Sequence, residues 1–184
     1  MRRAFLAVAA ACLLSATSTQ AGDLKSGLQV GDYPGAFNVT DITGPSAGEK
    51  LCYRCRYGAR PVVSIFARKM DDNVVKLVSE VNAVVQKNAD DKKMAGFVTL
   101  LTEDPDAAEA ELKKVAEEKQ IKAVPLTVFE NNIGPSKYKI DEKAEVTVMM
   151  WVDSDVKVNH AFAPGELTSE ALAQIVKDTQ KILE

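Results

Sequence analysis

The chain has 184 residues, of which 26 are acidic and 23 are Lys or Arg, and its net charge at pH 7 is −3. This balance argues against a nucleic-acid partner, which would require a basic face. Three cysteines are too few for a miniprotein held together by disulfides, whereas the length suits one domain with its own hydrophobic core.

The first 21 residues have the pattern of an export signal. Two arginines follow Met1, residues 4–16 are apolar, and Thr19-Gln20-Ala21 places small residues where signal peptidase reads them. We predict cleavage after Ala21, which leaves residues 22–184 as one domain with a net charge of 21 − 26 = −5. The apolar run continues past Cys12, which disfavours a lipoprotein site there. The mature protein is then periplasmic or secreted, and no later segment is apolar enough to form a stable membrane span.

The mature part of the chain alternates predicted strands and helices. Residues 22–50 are an irregular lead-in with a short strand at 37–40. The later segments follow the order strand, helix, strand, helix, strand, β-hairpin and helix, at 62–67, 72–88, 95–101, 104–120, 124–129, 146–163 and from 168 onward. This order predicts an α/β fold: a three-layer α/β/α sandwich with a central mixed sheet and helices on both faces.

These segments resemble the thioredoxin fold, and more closely its peroxiredoxin-like branch. Val30 to Phe37 is similar to that branch's opening segment, and the other stretches that carry the resemblance are 61–66, 97–104, 121–129 and 146–162. An alternative register would treat Pro125 as the proline that precedes the hairpin of a thioredoxin. We favour the peroxiredoxin-like register, because the other one needs a long insertion between Pro125 and the hairpin.

The catalytic residues that this resemblance implies are not present. A peroxiredoxin carries its peroxidatic cysteine at the helix start after the first core strand, where this chain reads Arg68-Lys69-Met70-Asp71-Asp72-Asn73. The approach to the hairpin, residues 143–146, has no proline. Peroxidase activity is therefore not expected, and the fold alone supplies no activity.

One Cys-x-x-Cys pair, Cys52-Tyr53-Arg54-Cys55, lies before the strand at 62–67 rather than after it. In an oxidising compartment two nearby thiols tend to form a disulfide. Only five residues separate Cys55 from Pro61, so no long helix can begin at the pair. The guanidinium groups of Arg54 and Arg56 remain as the groups that would favour a reactive thiolate.

Three functions stay open for the pair. The first is thiol-disulfide exchange with a protein partner, with Cys52 and Cys55 as the redox pair, Arg54 and Arg56 in support, and no cofactor. The second is a non-enzymatic binding module in which the disulfide shapes a loop. The third is a copper(I) carrier that adds His160 as a ligand, a loose resemblance to the Sco-type proteins of this fold.

Two tyrosines flank the cysteines, and the pattern allows two interpretations of them. Tyr53 and Tyr57, together with the neighbouring arginines, could form a docking surface for a partner. The other interpretation is ordinary cover over the edge of the sheet.

Overall fold

A seven-stranded sheet organises the part of the chain that the computed structural model describes, residues 24–184. The predicted export signal and Cys12 lie outside the described residues. The strands and helices are β1 (Val39–Asp41), β2 (Lys50–Leu51), α1 (Tyr53–Tyr57), β3 (Val62–Ala67), α2 (Asp72–Asn88), β4 (Ala95–Leu101), α3 (Pro105–Glu118), β5 (Leu126–Phe129), β6 (Val146–Val152), β7 (Asp155–Phe162) and α4 (Ser169–Asp178), with 3₁₀ turns at Ser136–Tyr138 and Thr179–Ile182.

The strands lie in the order β2-β1-β5-β4-β3-β6-β7. The central strand β3 pairs in parallel with β4 and antiparallel with β6, and β4 pairs in parallel with β5. The sheet is therefore mixed, as predicted. Pro125 precedes β5, on the opposite side of β3 from the hairpin strand β6, so the peroxiredoxin-like register is confirmed.

Alternate residues of β3 face opposite sides of the sheet, and each side has its own core. On the first face, Val63, Ile65 and Ala67 pack with apolar residues of the three longer helices α2, α3 and α4. On the second face, Val62 and Phe66 pack with α1, with the lead-in and with the segment around the first 3₁₀ turn. Helices thus lie on both faces, as predicted, but the layer on the second face consists mostly of short segments.

The bounds of β3, β4, β6 and α2 agree with the prediction. Helix α2 contains five buried valines and forms nevertheless, because tertiary burial outweighs the modest helix propensity of valine. The Asp71 carboxylate begins this helix by accepting the backbone N–H groups of Asn73 and Val74. The predicted strand at 37–40 begins instead at Val39, and the strand predicted from 124 begins at Leu126.

Within residues 24–184, none of the helices combines the length and the apolarity that a membrane crossing requires.

A buried carboxylate joins the last helix to the hairpin. Asp178, at the end of α4, is 5% exposed and accepts a hydrogen bond from His160 Nε2 of β7 at 2.9 Å. Lys181 Nζ and Gln174 Nε2 lie 2.9 and 3.0 Å from its other oxygen. Burial opposes ionisation of Asp178, but the hydrogen bonds from Lys181 and His160 outweigh it and hold the pKa of that carboxyl below its usual value.

We predict that Asp178→Asn lowers the free energy of unfolding by about 2 kcal/mol near pH 7, because buried hydrogen bonds to a charged group are lost. A lowered pKa contributes stability that is present at neutral pH and is lost as the pH falls through that pKa. The difference from wild type should therefore shrink in acid. Urea denaturation over a pH series measures it, with the exposed Asp91→Asn as the control. A deficit that stays constant into acid would contradict the prediction.

Candidate functional site

The cysteine pair begins a short helix rather than lying in a loop. Cys52 is the N-cap of α1, Cys55 lies in its first turn, and a disulfide joins them with Cα atoms 5.2 Å apart. The backbone N–H of Cys55 donates to Cys52 Sγ at 3.0 Å. The helix ends at Gly58, which has a positive φ of 58°. No long helix was expected here, and the helix is indeed confined to five residues.

The two residues of the disulfide differ in exposure. Cys55 is exposed, whereas Cys52 is half-buried. The pair precedes β3, and the position expected for a peroxidatic cysteine follows it. Because six residues of strand separate these positions, the two ends of β3 lie about 20 Å apart.

The buried side chain of Asp41 fixes α1 to the sheet. Asp41, at the end of β1, is 0% exposed and accepts the Tyr53 hydroxyl at 2.7 Å and the backbone N–H groups of Gly44 and Ser46 at 2.8 and 2.9 Å. Tyr53 is also buried and stacks on Phe97 of β4 with ring centroids 5.6 Å apart. Burial, and then the hydrogen bond to the carboxylate, raise the pKa of Tyr53 far above its usual range.

Gly44 is required by this arrangement. A Cβ atom at this position would lie 2.3 Å from the Tyr53 hydroxyl oxygen and 2.6 Å from a carboxylate oxygen of Asp41. Sequence reasoning did not identify Asp41 as part of the site. The available signal was local, since an Asp followed three residues later by a Gly is typical of a turn in which the side chain accepts backbone N–H groups.

The two arginines predicted to support the cysteines have other partners. Arg54 donates to the Pro34 carbonyl at 2.8 Å, the Tyr33 hydroxyl at 3.0 Å and Ser154 Oγ at 2.7 Å. It therefore joins the lead-in and the hairpin turn to α1. The exposed Arg56 donates to Ser46 Oγ at 3.1 Å. All the described hydrogen bonds of the two guanidinium groups have oxygen acceptors. Arg54 and Arg56 would therefore stabilise a cysteine thiolate through their positive charge and not through a hydrogen bond to sulfur.

The tyrosines next to the cysteines cover the core. Tyr53 is buried, and Tyr57 is half-buried with its hydroxyl 3.3 Å from the Gly96 carbonyl oxygen. These positions support the cover interpretation rather than a docking surface. The exposed tyrosine beside α1 is Tyr33, 69% exposed, over whose ring the Arg54 guanidinium lies at 5.2 Å. Sequence reasoning did not single it out.

At the end of β3 where the peroxiredoxin-like fold carries its peroxidatic cysteine, a structural arginine holds the chain. Arg68 follows β3 directly and donates to three backbone carbonyls, those of Asn132, Asp141 and Ala144. Its guanidinium thus joins two loops to the end of the strand. This end of the sheet contains no thiol among the residues that the resemblance assigns to it.

His160 does not lie near the cysteines. It pairs with Val148, which packs in the core of the first face, so its side chain points to that face. Tyr53, between the cysteines, packs on the second face. The described residues contain no group of three or more His, Cys, Asp or Glu side chains that could hold a metal ion. The geometry therefore does not bring together the three ligands of the copper hypothesis.

A cavity of about 240 Å³ lies beside β1 and β5, and neither cysteine lines it. Its polar residues include Lys50 and Glu130, whose charged groups are 2.8 Å apart. The ion pair satisfies both charges, so the cavity presents no unpaired charge from these two groups to a ligand.

No family model matches the chain, and no curated protein is similar to it in sequence. Its structure is similar to solved structures of one fold. A candidate protein disulfide isomerase from Bacteroides thetaiotaomicron has a TM-score of 0.65 at 13% identity, over 87% of this chain and 94% of the other. A candidate thiol:disulfide interchange protein, DsbE from Chlorobium tepidum, has 0.57 at 16%, over 83% and 98%. Peroxidoxin BcpB from Mycobacterium tuberculosis has 0.58 at 16%, over 85% and 99%.

The chain therefore has the thioredoxin fold. This confirms the predicted α/β architecture and the predicted resemblance, and the similar structures include both dithiol proteins and a peroxidoxin. Identities of this size concern the fold and do not transfer an activity.

We predict that Tyr53→Phe lowers the free energy of unfolding by about 2 kcal/mol, because the buried Asp41 carboxylate loses a donor. Tyr57→Phe is the matched control. It removes a hydroxyl with one long hydrogen bond to a neutral carbonyl, and should cost less than about 1 kcal/mol. Urea denaturation of the three oxidised proteins measures both values. Equal losses in the two variants would show that the carboxylate does not depend on Tyr53.

We also predict that one of the four tyrosines ionises below the usual pKa. A hydrogen bond with Ser154 and the charge of Arg54 lower the pKa of Tyr33, whereas burial raises the pKa of Tyr53, Tyr57 and Tyr138. Ultraviolet titration of tyrosinate should show one early step that Tyr33→Phe removes. Arg54→Met should move this step upward, and an unchanged midpoint would exclude the contact between these two side chains in solution.

Proposed function

We propose that this chain is an exported thiol-disulfide exchange protein that acts on a protein partner through Cys52 and Cys55. The observation that carries the proposal is the exposed Cys55 of a disulfide on a helix fixed to the sheet. Exchange requires that a thiolate reach a disulfide sulfur, so an exposed cysteine residue meets the first condition for this reaction.

The exchange converts two thiols of the partner into a disulfide while Cys52 and Cys55 become two thiols, or runs in reverse. The reaction proceeds through a mixed disulfide between the two proteins and needs no cofactor. Arg54 and Arg56 flank Cys55 in sequence, and their positive charges favour the thiolate form of both cysteines. The similar structures described as a disulfide isomerase and an interchange protein support the same chemistry here.

The export signal predicted at residues 1–21 supports the compartment that this chemistry needs. A periplasmic or extracellular location is oxidising, and a disulfide persists there while cytosolic reductants do not reach it. Thiol proteins exported to the same compartment are then the class of partner.

One observation favours a second function, a binding module in which the disulfide is structural. Helix α1 is held on one side by the Asp41–Tyr53 hydrogen bond and on the other by the contacts of Arg54. In a helix that is fixed on both sides, the disulfide could have the purely structural role of maintaining the shape of the binding surface. The geometry does not support the copper function, because His160 points to the opposite face of the sheet.

The reduction potential separates the two proposals. For an exchange protein we predict a midpoint between about −270 and −120 mV, whereas structural disulfides of secreted proteins lie below about −300 mV. The oxidised protein is equilibrated in glutathione buffers of known potential, the thiols are alkylated, and both states are counted by mass. Cys52→Ser, which cannot form the disulfide, gives the baseline. A midpoint below the structural limit would favour the binding module.

A further inference from the structure

The two cysteines are unequal, and this inequality assigns their roles in exchange. Cys55 is exposed and Cys52 is half-buried, and Cys52 Sγ already accepts the backbone N–H of Cys55. We propose that an incoming thiolate attacks Cys55 and that Cys52 is the leaving group. This inference rests on the proposed exchange function and specifies which sulfur of the site reacts first.

Access decides the point of attack. An attacking thiolate must approach a disulfide sulfur along the line of the S–S bond, on the side away from the bond. The partner is a protein, so attack is favoured at the cysteine residue that is more exposed, which is Cys55. Cys55 is followed by the exposed Arg56, whereas Cys52 follows β2 of the sheet.

Stabilisation of the product decides the leaving group. The thiolate that departs more readily is the one whose negative charge is better stabilised. When the S–S bond breaks, Cys52 Sγ can keep its hydrogen bond from the backbone N–H of Cys55. The donor belongs to the backbone of α1, so this hydrogen bond does not require the disulfide. A hydrogen bond to the charged form lowers the pKa of a thiol. Among the described hydrogen bonds, the one to a cysteine sulfur is accepted by Cys52 Sγ.

The exchange takes place in two steps. A partner thiolate forms a bond to Cys55 Sγ while the bond between Cys55 and Cys52 breaks, and Cys52 leaves with the electron pair as a thiolate. A second thiolate of the partner then attacks the partner sulfur of the mixed disulfide, and Cys55 leaves as a thiolate. The partner has lost two electrons and two protons, and the site has gained both.

The first experiment maps the mixed disulfide on the wild-type protein, with reduced glutathione as the attacking thiol. The reaction is stopped early with acid and the free thiol is alkylated. Cleavage after Lys50 and Lys69 then releases residues 51–69, which contain both cysteines, for localisation of glutathione by fragment masses. We expect the adduct on Cys55 to exceed that on Cys52 by about tenfold or more.

The outcomes are distinguishable. An adduct mainly on Cys52, or equal amounts on both residues, overturns the assignment while leaving the exchange function intact. If neither residue forms an adduct faster than a strain-free model disulfide does, the exchange function itself fails and the assignment fails with it.

A second experiment tests the leaving group with a matched pair of variants. Cys55→Ser leaves Cys52 with the N–H donor of residue 55, because that donor belongs to the backbone, and Cys52→Ser leaves Cys55 alone. The pH dependence of alkylation by iodoacetamide gives the thiol pKa in each variant. We expect the Cys52 thiol to ionise at lower pH than the Cys55 thiol. A Cys52 pKa equal to or above that of Cys55 would overturn its role as leaving group.

Discussion

The Asp41 carboxylate is the constraint on which the geometry of the site depends. A buried charge is stable only when hydrogen bonds compensate it, and three donors do so here: two backbone N–H groups and the Tyr53 hydroxyl. Because Tyr53 lies between the two cysteines, the same hydroxyl positions the disulfide. Asp41 therefore connects three segments through its hydrogen bonds: the end of β1, the turn that follows it, and the helix that carries the disulfide.

The cysteine pair lies at the opposite end of β3 from the end where this fold commonly places its reactive groups. At the end where the fold commonly places reactive groups, Arg68 binds three backbone carbonyls and closes the loops over the strand. At the other end, Arg54 joins three segments and leaves Cys55 exposed beside them. An arginine thus holds each end of the strand, and the disulfide lies at the α1 end.

Much of the fold could be predicted from the sequence, but the geometry of the site could not. The apolar run of β3 and the capping aspartate of α2 are local signals that do not depend on the rest of the chain. Strand β2 and helix α1 have only two and five residues, and both exist because they pair with β1 or pack against it through Tyr53. The unequal exposure of the cysteines and the distance of His160 follow from the sheet and its two faces, which no local pattern encodes.

The double attachment of α1 has a consequence for partner recognition. The disulfide closes a ring of four residues, which by loop entropy adds only about 2 kcal/mol. The hydrogen bonds of Tyr53 with Asp41 and of Arg54 with Ser154 do not involve its sulfur atoms. Reduction of the disulfide therefore removes neither of these two attachments of α1. Under the proposed exchange function, relative reduction potentials would then set the direction of exchange more than any change in the shape of α1.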